Sequence, residues 1–313
     1  ISGAGVGVRN AIRGGASALI NDSVLVKTGD VTVRSTGEAG INAVVVAAAA
    51  ALGFGKTGVG VAIGAAVGLN DIGADGDAFA ITADITNSSL LSIDDTDKSV
   101  GQSVVVNANN RTQALVTVIA GAAAVAGGQT GVAISGSGAV GLNNIFIETR
   151  AAITGAGTQI ADKDAIEAES LAVTAVNSSR IRAFVGAASL SLAVGQQGIA
   201  IALGASVSEN RINSTTSATV TDMAGGILLS GVVASDRAAG TQADGRVVDL
   251  LAEDSAMVNA TVMAAALAAG FGQTGVAIAG AGAFSRNRIG GGGVVAEIVG
   301  SDITSAAGDL SVK

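Results

Sequence analysis

The chain of 313 residues has no cysteine, histidine, tryptophan, tyrosine or proline. Without histidine and cysteine it lacks the commonest general base, the thiol nucleophile and the usual transition-metal ligands. Asp, Glu, Lys and Ser remain, so catalysis is disfavoured but not excluded by composition, and no catalytic residue and no enzyme activity are expected. No disulfide can form, which suits export into an oxidising space without proving it. Six phenylalanines are the only aromatics, charged residues make up 13% of the chain, and the net charge is −8. Such a chain offers neither the basic patch nor the stacking platform that nucleic acid requires. No nucleic-acid partner is expected. Low charge and 46 glycines could signal disorder, but 49% of residues are apolar, mostly in register with a repeat. Disordered chains are depleted in such residues.

A repeat of about 70 residues is the main positive feature. Its most recognisable part is an arm–turn–arm segment of small residues ending in Asn-x-Ile, at 47–72, 121–145, 186–212 and 264–289, with a partial copy at 1–12. The endings are Asn10 and Ile12, Asn70 and Ile72, Asn143 and Ile145, Asn210 and Ile212, and Asn287 and Ile289. Successive Asn residues lie 60, 73, 67 and 77 apart. Each full copy carries a glycine just before its midpoint, at Gly58, Gly131, Gly198 and Gly275. A fixed period of this size implies stacked units that bury their apolar faces on one another. Residues 1–313 therefore read as one continuous array, with repeat endings near 12, 72, 145, 212 and 289 and a truncated last repeat. The chain opens inside one arm and closes on Gly-Asp-Leu-Ser-Val-Lys (308–313), the counterpart of 29–34. It reads as a window of a longer polypeptide.

Within a repeat the pattern is period two. From Phe184 to Val194, and again from Ile199 to Val207, bulky residues alternate with Ala, Ser and Gly. Two strands and a tight turn are the expectation. Neither face carries charge, so both are expected to be buried, the small face allowing an approach closer than the usual ~10 Å between sheets. The more polar remainder of each repeat holds two further β-rich runs, giving roughly four strands per repeat. The predicted fold is all-β: a repetitive, mainly antiparallel array of stacked hairpins, with a parallel β-helix as the alternative. Stacking of four strands per repeat predicts an axial length on the order of 85 Å. The charge-free stretch 112–147 could be read as a membrane helix. Its glycine density, its β-branched alternation and the missing interfacial anchors argue against this. No transmembrane helix is expected.

Other motifs have structural readings. Residues 50–57 come one residue short of a phosphate-binding loop, since Ala50 stands where the first glycine belongs and a strand follows. The equivalent turns read Gly-Gln-Thr, so Lys56 marks a turn. The glycine runs at 3–7 and 280–282 lack a surrounding βαβ unit, and close packing explains them. Asp94, Asp95 and Asp97 are weak calcium candidates, with Asp75 and Asp77 weaker still, and a solvated loop is the preferred reading. No other cofactor is indicated. Asn-x-Ser/Thr occurs at Asn21, Asn87, Asn110, Asn177, Asn213 and Asn259, and turn preference is favoured over glycosylation. The repeated Asn of Asn-x-Ile suits a structural role, satisfying backbone groups or stacking as an amide ladder along the array.

The string running from Gly-Gln-Thr-Gly-Val-Ala-Ile to Asn-x-Ile is carried by 127–145 and 270–289, and less closely by 53–72 and 195–212. It resembles repeats of giant bacterial filamentous surface adhesins, including the leukotoxin-like filamentous adhesin family. The resemblance implies an exported, extended surface or matrix filament and transfers no binding residue. The functional expectation is therefore an extracellular or cell-surface filament, stalk or adhesin segment for attachment, cell–cell contact or biofilm matrix. Its expected partners are like repeats of the same or neighbouring chains, with cell-surface or matrix glycans as further candidates. The alternatives are an outer-membrane or pore-forming β-barrel and a polysaccharide-active enzyme on a β-solenoid. The barrel needs lumen-facing polar residues where these arms carry Ala. The enzyme would draw carboxylates from loops, for example Asp162, Asp164 and Glu167.

Overall fold

A computed structural model of the chain describes residues 1–27, 29–92, 103–156, 165–230, 246–305 and 308–313. Among the described residues every regular element is a strand. In chain order these are β1 (Ser2–Ile12), β2 (Gly15–Asn21), β3 (Val24–Lys27), β4 (Val31–Ile72), β5 (Phe79–Thr86), β6 (Ser89–Ser92), β7 (Ser103–Thr154) and β8 (Ile166–Ala168). They continue as β9 (Ser170–Thr221), β10 (Ile227–Leu229), β11 (Arg246–Asp254), β12 (Met257–Phe271), β13 (Thr274–Val299), β14 (Ile303–Ser305) and β15 (Asp309–Val312).

The pairing corrects the predicted topology. Every ladder between these strands is parallel, and the two arms of a repeat are not hydrogen-bonded neighbours. Instead β4 pairs in register with β7, and β7 with β9, each along some forty residues or more. β12 and β13 continue the stack on β9, and β1 begins it on β4. The short strands β3, β6, β8, β10 and β14 form a second parallel sheet in the same coil order. The architecture is therefore that of a parallel β-solenoid, the arrangement kept as the alternative. One repeat makes one coil, not four stacked strands. Each coil advances by one strand spacing of ~4.8 Å, so five coils span on the order of 20–25 Å along the axis.

Two bodies of core follow from the side chains. The wide part of each coil is filled by Val, Ile and Leu: Val33, Val106 and Val173 on the opening segments, Ile81, Ile153 and Val220 on the returning ones, and Leu90, Ile166 and Ile227 on the short sheet. Coil corners lie after the returning segments, where Asp22, Asn87, Asp222 and Gly300 take φ of 48°, 48°, 56° and 60°. Asp, Asn and Gly are the residues that enter this left-handed region most readily.

The second body is a thin blade. The long strands fold back sharply near 54–57, 128–130, 195–197 and 272–274, so the two arms of each coil lie face to face. The opposed faces carry Ala49, Ala51, Ala62, Ala122, Ala124, Ala126, Ala133, Ala193 and Ala200, a core built of alanine. Backbones come into direct contact. A Cβ placed on Gly58 would lie 2.4 Å from the Gly127 carbonyl oxygen, and one on Gly275 2.5 Å from that of Gly270. On Gly198 it would lie 2.7 Å from the Phe271 carbonyl, and on Gly131 3.0 Å from the Val194 carbonyl. The repeated midpoint glycine is thus a position where only a hydrogen fits. Serines complete the contact: Ser191 donates to the Ile201 carbonyl at 2.5 Å and Ser189 to that of Leu203.

The bulky faces of the arms point outward, contrary to the expectation that both faces are buried. Leu190, Val194, Ile199 and Leu203, on an inner coil, are 44%, 47%, 38% and 54% exposed. Large side chains fill the sheet faces that look away from the opposite arm, because the gap between the arms has no room for them. Ala202 lies in that gap and is fully buried. Ala202→Leu is expected to lower stability by about 1–3 kcal/mol through overpacking. Leu203→Ala, one residue away on the outer face, is expected to cost much less. Urea-denaturation midpoints of the two variants check the assignment of faces.

Candidate functional site

Parallel in-register stacking places equivalent residues of successive coils directly above one another. The Asn of Asn-x-Ile thereby becomes a continuous amide column. The Nδ2 of Asn10 donates to Asn70 Oδ1 at 2.8 Å, Asn70 to Asn143 at 2.8 Å, Asn143 to Asn210 at 2.7 Å and Asn210 to Asn287 at 2.8 Å. Asn70, Asn143 and Asn210 are buried. All donors point in one direction, so each bond polarises the next. The neighbouring column runs Ile12, Ile72, Ile145, Ile212 and Ile289, of which the middle three are fully buried.

A second polar column lies where the opening segments meet the blade. Asn110 donates to Asn177 Oδ1 at 2.6 Å, and Asn177 to Asp254 Oδ1 at 3.0 Å. Ser179 donates to Asn177 Oδ1, Thr112 to Asn110 Oδ1, and Ser214 to Asp254 Oδ2. The first coil has Gly37 at this level, and Ile81 occupies the space beside it: a Cβ on Gly37 would lie 1.9 Å from Ile81 Cδ1. Asn110 and Asn177 are fully buried within strands, so neither is a turn residue nor open to a glycan. Asn259 is exposed and pairs with Arg182, outside this column. Asn87 occupies a left-handed corner, and Asn21 lies exposed at the end of β2.

The calcium candidates Asp94, Asp95 and Asp97 lie outside the described residues, as do Asp162 and Asp164. Glu167 lies in β8, beside Leu228 in register. Asp75 and Asp77 are exposed in a tight turn closed by the Ala74–Asp77 bridge. That turn borders an open cavity of about 430 Å³ also lined by Phe146, Glu148 and Asn213. Among the described residues no group of three or more Asp and Glu is placed to hold a metal ion. Lys56 lies at the exposed blade tip with Gly55 at φ 148°, flanked by strand and not by a helix N-terminus. No helix among the described residues is long and apolar enough to cross a membrane.

One ion pair is placed differently from the exposed ones. Asp84 is buried in β5, and Arg150 of the next coil donates to its Oδ2 at 2.7 Å. Burial raises the Asp84 carboxyl above its ordinary value, the Arg150 guanidinium opposes the rise, and the Glu148 charge adds to it. Asp84 Oδ1 and Arg150 Nε are buried without partners.

The most extensive feature is the outer surface of the blade. The first arms, 44–54, 117–127, 184–194 and 261–271, contain no charged residue. Their outward side chains include Leu52, Phe54, Ile119, Leu190, Leu267 and Phe271, which are 38–73% exposed. The second arms present Val59, Ile63, Ile199, Leu203, Val276 and Ile278 on the opposite side. Both wide faces of the blade are apolar, on a scale that soluble monomers rarely expose.

Two predictions follow from these contacts. Asn143→Ala leaves the Asn70 donor and the Asn210 acceptor buried and unmet, and should cost about 2–5 kcal/mol. Asn10→Ala, at the partly exposed end of the column, should cost less, and chemical denaturation separates the two. For Asp84 the folded-state value is raised, so its contribution to stability is full below the unfolded value and is lost as pH rises through the folded value. The native chain should therefore lose stability relative to Asp84→Asn as pH rises through the acidic range, and the difference should then level off. Urea midpoints of both proteins across that range provide the check.

No protein-family model, curated protein or solved structure matches the chain.

Proposed function

We propose that the chain is a structural segment of an extracellular or cell-surface filament, stalk or adhesin and performs no catalysis. The observation that carries this reading is the unbroken in-register stacking of coils with two internal polar columns. A fold of this kind invests its buried polar groups in self-registry along one axis, which is what a stiff spacer requires. Its expected partners are like repeats of the same or neighbouring chains, with surface or matrix glycans as candidate targets. The resemblance of the 127–145 and 270–289 strings to filamentous adhesin repeats points the same way.

Parallel pairing favours this reading over a transmembrane barrel, whose strands are antiparallel and closed into a ring. It is also favoured over a carbohydrate-active enzyme, because the chain has no Trp or Tyr to stack on sugar rings. The test is made on cells producing the protein. Antibodies against the chain should label the surface of intact cells, and deletion of the encoding segment should reduce attachment to surfaces. Purely internal labelling with unchanged attachment would refute the proposal.

A further inference from the structure

We infer that the first-arm face of the blade is a pairing surface for a second copy of this chain, laid against it face to face. This rests on the structural reading above and names the partner and the surface.

The size is right. Each first arm presents eleven residues of strand across four coils, a patch of roughly 700 Å² at ~3.4 Å per residue and ~4.8 Å per coil. A stable protein–protein interface covers about 800 Å² on each partner. The composition is that of an interface core. The patch is free of charge from 44 to 54 and at every in-register level above it, while polar groups border it at both ends. Glu38 and Arg111 form an exposed ion pair near the base, where Arg182 is also exposed, and Lys56, Gln129, Gln196 and Gln273 occupy the tips. An apolar centre with a polar rim is the usual anatomy of such a surface. At the base the patch meets a depression of about 250 Å³ between Leu115, Thr117, Arg182, Phe184, Asn259 and Thr261, large enough for a protruding side chain.

The second copy is favoured over other occupants on two grounds. The outward side chains form straight rows at one strand spacing, and aligned sheet packing needs a partner with the same spacing and twist. A second copy supplies both. A lipid surface is disfavoured because the chain has no Trp or Tyr to anchor at an interface and carries a net charge of −8. Both faces carry charge at the base, but the first-arm level of Asn42, Leu115, Arg182 and Asn259 holds one charged residue whereas the second-arm level of Arg9, Leu69, Leu142, Glu209 and Arg286 holds three, and the first-arm face is chosen for this reason.

Leu190 and Leu203 provide a matched test, since both lie on the same inner coil, on opposite faces of the blade, and both are about half exposed. The 313-residue chain should sediment as a dimer of 29.8 kDa subunits at micromolar concentration. Leu190→Glu should weaken self-association at least about tenfold by placing a charge in the centre of the patch. Leu203→Glu should leave it unchanged, and both variants should keep the wild-type circular dichroism spectrum. A wild-type chain that stays monomeric would overturn the inference, as would equal effects of the two substitutions, or binding to phosphatidylcholine vesicles without dimerisation. A monomer would leave the proposed surface role standing, whereas a dimer confined to the cell interior would defeat that role and leave the pairing intact.

Discussion

The close approach of the two arms sets the terms for the rest of the structure. Where one sheet presses on another through Ala, Ser and Gly, no side chain of any size fits between them. Gly58, Gly131, Gly198 and Gly275 mark the tightest level, where a methyl group would collide with a carbonyl of the facing arm. Large side chains are then forced outward, and the blade acquires two apolar outer faces. The alanine core gives little hydrophobic stabilisation per residue, since each buried methyl removes little area from water. The compensation comes from length: the arms repeat over four coils, and each adds continuous backbone hydrogen bonding to the next. The wider part of the coil, packed with Val, Ile and Leu, supplies the conventional core from which the blade projects.

The same stacking explains the buried amides. An isolated Asn in this interior would cost the desolvation of both its donor and its acceptor. In a parallel, in-register stack each Asn meets the Asn of the next coil, and the cost is offset by a chain of aligned bonds. Asn10, Asn70, Asn143, Asn210 and Asn287 therefore act as a register key. A one-residue slip would set these Asn residues beside outward-facing positions such as Leu69, Glu209 or Arg211 and break the column, so it selects one pairing out of many compatible with Ala/Gly alternation. Asn110, Asn177 and Asp254 repeat the device on the other side of the coil. Gly37 and Ile81 show how a coil omits it, a missing side chain on one strand being filled by a larger one across the core.

Much of this was legible in the sequence. The repeat, the β-rich character and the small face all follow from residue spacing, and recurrence alone marks the Asn of Asn-x-Ile. Strand direction was not legible, because period-two alternation about a tight turn looks the same whether the arms bond to each other or to the next coil. The Asn column held the missing clue. Identical amides can bond in one line only if equivalent residues of successive repeats stack in register. The sequons at Asn110 and Asn177 held a second clue, since their spacing equals that from Asn143 to Asn210. The outward faces are not legible for a different reason: absence of charge fits a buried face and an open apolar face alike, and these faces are open. Asp84 and Arg150 gave no signal, as nothing local marks which carboxylate of a β-rich run will be covered.

The most direct test of the account lies in which residue neighbours Leu190. In the parallel stack Leu190 lies beside Leu267 of the next coil, and Leu203 is on the far side of the blade. In an antiparallel hairpin Leu190 and Leu203 would be cross-strand neighbours on one face. The chain has no cysteine of its own, so paired substitutions give an unambiguous readout. On mild oxidation, Leu190→Cys with Leu267→Cys should form an intramolecular disulfide, and Leu190→Cys with Leu203→Cys should not. A disulfide in the second variant and none in the first would contradict the parallel solenoid.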